Sequence, residues 1–246
     1  MRVRGTRRPT FGFQSRVSPS RQKPVHGPNV HPVRQLQLGW KIYETDNSGW
    51  FPVNKSRTIG GYLQNISNSW ALGNAQYDTN TSTIMNGSLY PDVNSISVYH
   101  CPPDRATVKG SPAWQHSRSY SVEGWLGANF NFGGDWIWPT PYPMAYAYKT
   151  RDALLTQPGP ADVFAFIDDN EPTIDDGIFV IGEQDWWDCP ADRHLQGGNL
   201  SFLDGHAEHH RWLSPKPAQN WMRPTDPNSA KDKPDHDWLV AHLPTH

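Results

Sequence analysis

The chain has 246 residues, enough for one domain of ordinary size plus tails. Its formal net charge is −2, but residues 1–40 hold eight Lys/Arg and no Asp/Glu, so residues 41–246 carry −10. An acidic body behind a basic, Pro- and Ser-rich head of disorder-prone composition does not point to nucleic acid as the partner, and residues 1–33 hold no apolar run of the roughly 20 residues a bilayer span needs.

Twelve Trp, nine Tyr and nine Phe stand beside an apolar fraction of only 36%, so the core must lean on aromatic rings. With 23 Pro and 20 Gly, long helices are not expected beyond the first. In chain order, residues 33–46 read as that helix. Val33, Leu36, Trp40 and Tyr43 recur at helical spacing, with Leu38 and Ile42 widening the face. Gly39 costs about 1 kcal/mol relative to Ala, so the helix needs a partner surface, and Asp46-Asn47-Ser48-Gly49 ends it. Ser82–Tyr90 reads as a second short helix. Ser97–His100 reads as a strand entering Cys101, and Arg118–Trp125 as a half-buried strand. Residues 127–143 read as an aromatic, Gly/Pro-rich insertion loop. Val163–Ile167 and Ile178–Ile181 are strands.

The last strands form a hairpin within RHLQGGNLSFLDGHAEHHRW, residues 193–212. Leu200 and Phe202 share one face of the first strand. Asp204-Gly205 suits a two-residue type I′ turn, which sets Phe202 opposite Ala207 and Leu203 opposite His206. His194 lies where it can fold back to the Asp204 carboxylate, locking the hairpin to the loop before it. A metal or acid–base site drawing on His194, His206, His209 and His210 is the alternative. On the return strand, however, His206 and His210 share a face that His209 does not.

His194, Asp204 and Gly205, followed by His206, resemble the C-terminal signature of bacterial prepilin-type H-X9-DG proteins, pseudopilin-like envelope proteins of planctomycetes, verrucomicrobia and their relatives. The stretches RQLQLGWKIYETDNSGWFPVN (34–54), GSLYPDVNSISVYHCPPDRA (87–106), RSYSVEGWLG (118–127) and FAFIDDNEPTIDDGIF (164–179) resemble other segments of that family, in the same order. The resemblance runs from Arg34 to Pro215. It implies an α+β fold with an N-terminal helix packed on an antiparallel sheet, long irregular loops and a C-terminal hairpin. It further implies a non-enzymatic structural or accessory subunit of a type II secretion or type IV pilus-like system. Such a subunit sits in the periplasm or outside the cell among other pilin-like partners. Family members open with a basic leader, a cleavage site and an apolar helix. Here Phe11-Gly12-Phe13 is not that cleavage motif, so either the anchor was lost or the reading frame starts elsewhere. The expected organisation is a disordered head (1–33), a globular domain (34–215) and a polar tail (216–246), with residues 238–243 docking back.

In the oxidising compartment that the resemblance implies, Cys101 and Cys189 are a natural disulfide pair, worth roughly 4–5 kcal/mol in the chain-entropy model. Neither belongs to a closely spaced zinc-type Cys pair. Asp168, Asp169, Glu171, Asp175 and Asp176 could supply oxygens to a calcium ion, although their spacing is not that of an EF-hand. The alternative reading is a solvated turn. No nucleophile elbow, phosphate-cradling loop, dinucleotide fingerprint or zincin helix is present in the sequence. Two competing functions remain. One is a cell-surface glycan-binding module stacking sugars on Trp125, Trp136 and Trp138, which requires exposed, coplanar rings. The weaker is a metal-dependent hydrolase, which requires histidines and carboxylates converging in one cleft.

Overall fold

The computed structural model describes residues 30–127, 158–182, 186–216 and 232–244. The expected insertion loop therefore lies outside the described residues from Ala128 onward, as do residues 1–29 of the expected head and residues 217–231, while residues 31–33 of that head belong to a helix. The architecture is α+β. Helix α1 (His31–Asp46) is followed by two strands, β1 (Ser56–Ile59) and β2 (Tyr62–Asn65). Two one-turn helices come next, α2 (Ser82–Met85) and α3 (Tyr90–Val93), then a 3-10 helix at Ile96–Tyr99. Seven further strands precede the last helix: β3 (Thr107–Val108), β4 (Ser111–Gln115), β5 (Tyr120–Glu123), β6 (Phe164–Asp168), β7 (Ile178–Phe179), β8 (Gly197–Phe202) and β9 (Ala207–Arg211). Helix α4 (Lys233–Ala241) closes the described chain. None of the described helices is long and apolar enough to cross a membrane.

Helix α1 starts where Pro32 fits the first turn, a position whose N–H would have no intrahelical partner anyway. It ends with Ser48 in the left-handed region (φ 57°), and Gly49 N donates to Glu44 O at 2.7 Å, the long-range bond of a Schellman motif. Val33, Leu36 and Trp40 are fully buried, whereas Leu38 and Ile42 stand exposed, so the apolar stripe is narrower than the sequence predicts. Gly39 has a packing reason. A Cβ there would run into the Val93 side chain, so the missing methyl lets α3 lie against α1.

The main sheet runs β7-β5-β6-β8-β9, antiparallel except for the parallel β5/β7 pair. Helix α1 lies over β6, β8 and β9. Beneath it, Trp40 meets Phe166 edge-on at 5.5 Å and Phe51 at 5.4 Å, and Trp70 stacks on Tyr99 at 5.9 Å. The opposite face carries a second core of Phe164, Ile167, Phe179, Leu200, Phe202, Trp186, Trp212 and Leu239. With both faces covered, β6 is buried at every position, which is why it reads as an unbroken apolar run. A bulge between Phe164 and Phe166 sends Ala165 and Phe166 to the same core.

Three local expectations are corrected. The predicted strand at 97–100 is the 3-10 helix, which buries Val98 and Tyr99 in the core beneath α1 instead of pairing with the sheet. The hairpin register is one residue off. Ser201, not Phe202, faces Ala207, and Phe202 N bonds His206 O at 2.9 Å, so the loop between that pair is Leu203-Asp204-Gly205. Gly205 N bonds Phe202 O at 2.9 Å, and Gly205 has φ 106° while Asp204 is absent from the positive-φ residues. A type I′ turn needs both central residues at positive φ, so this is a turn closed by a glycine bulge. Finally, the tail beyond residue 215 is not loose throughout. Lys216 is buried, whereas the expected docking of residues 238–243 holds, with Trp238, Leu239 and Val240 of α4 and Leu243 beyond it packed on the second core.

Candidate functional site

Among the described residues, one trio of potential metal ligands converges: Cys101, Asp168 and His194, with their ligand atoms all within 4.8 Å of one another. Three segments deliver it. Cys101 leaves the 3-10 helix, its amide held by the Ser119 hydroxyl at 3.0 Å. Asp168 ends β6, where its Oδ2 accepts the Asn199 amide at 3.1 Å. His194 sits just before Leu195 (φ 55°) and Gln196 (φ 60°), two successive non-glycine residues in the left-handed region. Such conformations cost about 1–3 kcal/mol each and persist only where the surroundings impose them. Here hydrogen bonds fix the turn: His194 N donates to the Gly197 carbonyl at 3.2 Å, Trp212 N to the Gln196 carbonyl at 2.8 Å, and His209 Nε2 to the His194 carbonyl at 2.7 Å.

His194 Nε2 faces Cys101 Sγ and Asp168 Oδ2, both at 3.1 Å. Burial pushes the Cys101 thiol up to about 12, with the Asp168 charge adding to it. Burial pulls Asp168 upward too, but the His194 hydrogen bond and Arg193 outweigh it and leave the carboxyl below its usual range. The trio therefore holds a neutral thiol beside a carboxylate. A nucleophilic triad uses the two imidazole nitrogens for different partners. Here one nitrogen faces both partners, and all three residues are buried, so the arrangement is not that of an acyl-transfer site.

Arg193 surrounds the trio with charge. Its guanidinium donates to Glu171 Oε1 (2.7 Å) and the Asp169 carbonyl (2.6 Å), and lies 3.5 Å from Asp168 and 3.9 Å from Asp104. Burial works against its charge, yet Asp168, Asp104 and Glu171 together hold it firmly protonated.

The other predicted site residues scatter. Asp204 does not receive His194. Its Oδ1 takes the His206 amide (2.9 Å) and Nδ1 (2.6 Å) at the exposed turn, and His206 stacks on Phe202 at 4.3 Å. The motif's two ends are thus separate devices, because the sheet sends His194 inward to β6 and leaves Asp204 at the tip. The expected Cys101–Cys189 disulfide is absent and both thiols are free. Cys101 points its sulfur at His194, while Cys189 lies beside Thr173, whose hydroxyl takes the Cys189 amide at 3.2 Å.

Among the described residues, no three of the five acidic calcium candidates bring oxygens within 4.8 Å of one another. Asp169 is held by the Ser121 and Thr173 hydroxyls at 2.6 and 2.8 Å, with burial pushing it up to about 7. Glu171 serves Arg193. Asp176 caps the Ile178 amide at 3.0 Å, and burial raises both Asp175 and Asp176. Trp125 is buried at 7% exposure, unlike a sugar-stacking ring, and Trp136 and Trp138 lie outside the described residues.

Sequence reasoning missed Arg193 and joined Cys101 to the wrong partner. It also missed Arg118, fully buried and donating to the carbonyls of Leu72, Gly73 and Asp175 at 2.7–3.1 Å. Only the adjacency Arg193-His194 hinted at the first. Comparison of the chain with protein-family models, curated proteins and solved structures finds no match.

Proposed function

We propose that the chain is the globular domain of a pseudopilin-like H-X9-DG protein, a non-enzymatic structural or accessory subunit of a type II secretion or type IV pilus-like envelope system. The observation that carries this reading is the burial of the signature histidine. His194 is 3% exposed and its Nε2 faces Cys101 and Asp168 inside the fold. A catalytic histidine must reach a substrate proton, and this one reaches only the protein's own groups. Asp204 and Gly205 shape the hairpin tip, so the signature acts in folding. The packing of α1 along β6, β8 and β9 suits a subunit whose N-terminal helix is its spine. Within this proposal the chain resides in the periplasm or outside the cell, with other pilin-like subunits as its partners.

The test is genetic and biochemical. In the source cell, the chain should fractionate with the envelope or with sheared surface filaments, and its deletion should remove those filaments or secreted proteins. A chain found in the cytosol, with the secreted proteins unchanged on deletion, overturns the reading.

A further inference from the structure

We propose that Cys101, Asp168 and His194 form a binding site for one divalent transition-metal ion of the zinc class. The inference goes beyond the structural-subunit reading and does not depend on it. Three segments remote in sequence bring three different ligand types to one buried point. His194 Nε2 faces Sγ and Oδ2 at equal distances of 3.1 Å. A ring nitrogen offers one proton or one lone pair, so it satisfies one of those neighbours and not both. A cation at the centre satisfies all three.

The spacing agrees. Zinc bonds of about 2.3 Å to sulfur and about 2.0–2.2 Å to nitrogen and oxygen place tetrahedral ligands roughly 3.4–3.6 Å apart. Each of the two gaps has to open by only about half an ångström. A second observation concerns the surroundings of the sulfur. Tyr120 is fully buried, and its hydroxyl reaches the Cys101 sulfur and no other acceptor. A metal-bound thiolate is a stronger acceptor for this hydroxyl than a neutral thiol. The outer contacts also suit a ligand set. Asn199 N–H fixes the Asp168 carboxylate, as outer hydrogen bonds do around metal ligands, and His209 fixes the backbone that carries His194. Arg193 faces Asp104, Asp168 and Glu171 within 3.9 Å, three carboxylates to one guanidinium.

Thiolate and imidazole favour zinc or cobalt over calcium or magnesium. Binding releases the thiol proton to solvent, and the imidazole proton that Nε2 shares with Asp168 moves to Nδ1, so that Nε2 offers its lone pair to the ion. Three protein ligands leave a fourth position for water or another donor.

The full-length protein, stripped with chelator, is titrated with Co²⁺ and separately with Zn²⁺. One equivalent of Co²⁺ should give the near-ultraviolet thiolate-to-cobalt absorption of a sulfur-ligated ion. Cys189→Ala should keep that absorption, Cys101→Ser should abolish it, and Asp168→Asn should weaken binding at least tenfold. Absorption that survives in Cys101→Ser, or none in the wild type, overturns the site. Should Cys101→Ser fail to fold, zinc-edge X-ray absorption of the Cys189→Ala protein decides instead. One sulfur at about 2.3 Å can then come only from Cys101, and a shell of nitrogen and oxygen alone refutes the proposal. Failure here leaves the envelope-subunit reading to its own test.

Discussion

Lys216 is a buried cation on which two carboxylates converge. It is 3% exposed, and its Nζ lies 2.6 Å from both Asp232 Oδ1 and Asp235 Oδ2, with the Ser214 carbonyl and hydroxyl at 3.2 and 2.9 Å. The rings of Trp186 and Trp212 flank the ammonium at 5.6 and 5.9 Å. Asp235 also accepts the Leu213 and Ser214 amides at 2.8 and 3.0 Å, which ties the end of the hairpin to α4. Lys216→Met keeps the stem and deletes the charge that lies between the two carboxylates. Breaking a buried pair in this way costs about 3–5 kcal/mol. That raises the unfolded-to-folded ratio by roughly two to three and a half decades, at about 1.4 kcal/mol per decade. For a chain of this size it lowers Tm by about 6–20 °C. Urea unfolding followed by tryptophan fluorescence reads the loss, since Trp186 and Trp212 adjoin the site. Adding Asp232→Asn should recover part of it, because one buried charge is gone while the amide can still accept the Trp186 indole N–H and donate to the Ser214 hydroxyl. A loss below about 1 kcal/mol for Lys216→Met, or no recovery in that double variant, would refute the reasoning.

Glu123, buried in β5 with its carboxylate near the Trp125 amide, has its pKa raised well above the usual value by burial. Its carboxyl stays protonated in the folded chain while the unfolded chain ionises near the ordinary value. Its contribution to stability is therefore greatest below about pH 4.5 and declines as pH rises toward the folded pKa, by about 1.4 kcal/mol per unit across that window. Glu123→Gln should match the wild type at pH 4 and exceed it in urea melts at pH 8. Trp40→Ala should cost about 3–5 kcal/mol, as the indole fills the space between Phe51 and Phe166. Trp40→Phe should cost far less, because the buried Trp40 Nε1 makes no hydrogen bond to lose; equal losses in thermal melts would contradict this. Gly205→Ala should cost about 1–2 kcal/mol through φ alone, since a Cβ there meets nothing within 4 Å. Under non-reducing conditions two thiols should titrate with a disulfide reagent in denaturant, and Cys101 should resist it in the native state. Recovery of no thiols would restore the disulfide.

What the sequence made legible was whatever has a local period. The α1 face, the β6 run and the pairing of Leu200 with Phe202 on one face all follow from side-chain spacing, and the α+β class with them. The hairpin was legible as a hairpin, but its register was not. Asp-Gly fits both a two-residue turn and the last two places of a bulged loop, and the packing of Leu203 in the core beneath α1 selects the second. The trio was illegible for a different reason. Cys101, Asp168 and His194 are separated by 67 and 26 residues, and no spacing rule connects a strand end, a helix exit and a strained loop. Reading the two cysteines as a pair followed from a compartment argument, which carries no geometry. Arg118 and Lys216 escaped notice because composition treats cations as surface groups, whereas here each is drawn inside by oxygens assembled only on folding.

The outermost strand on one side of the main sheet, among the described residues, is β9, Ala-Glu-His-His-Arg. An open β-edge is a template, and any chain with free amides and apolar side chains can zip onto it. Four consecutive polar or ionisable residues along β9 deny a newcomer the greasy surface that such zipping needs. At the far side, β7 offers only two residues. A protein built this way resists runaway fibril growth by strand addition. If copies of it do line up in an envelope assembly, they must join through helix and loop surfaces rather than by lengthening the sheet.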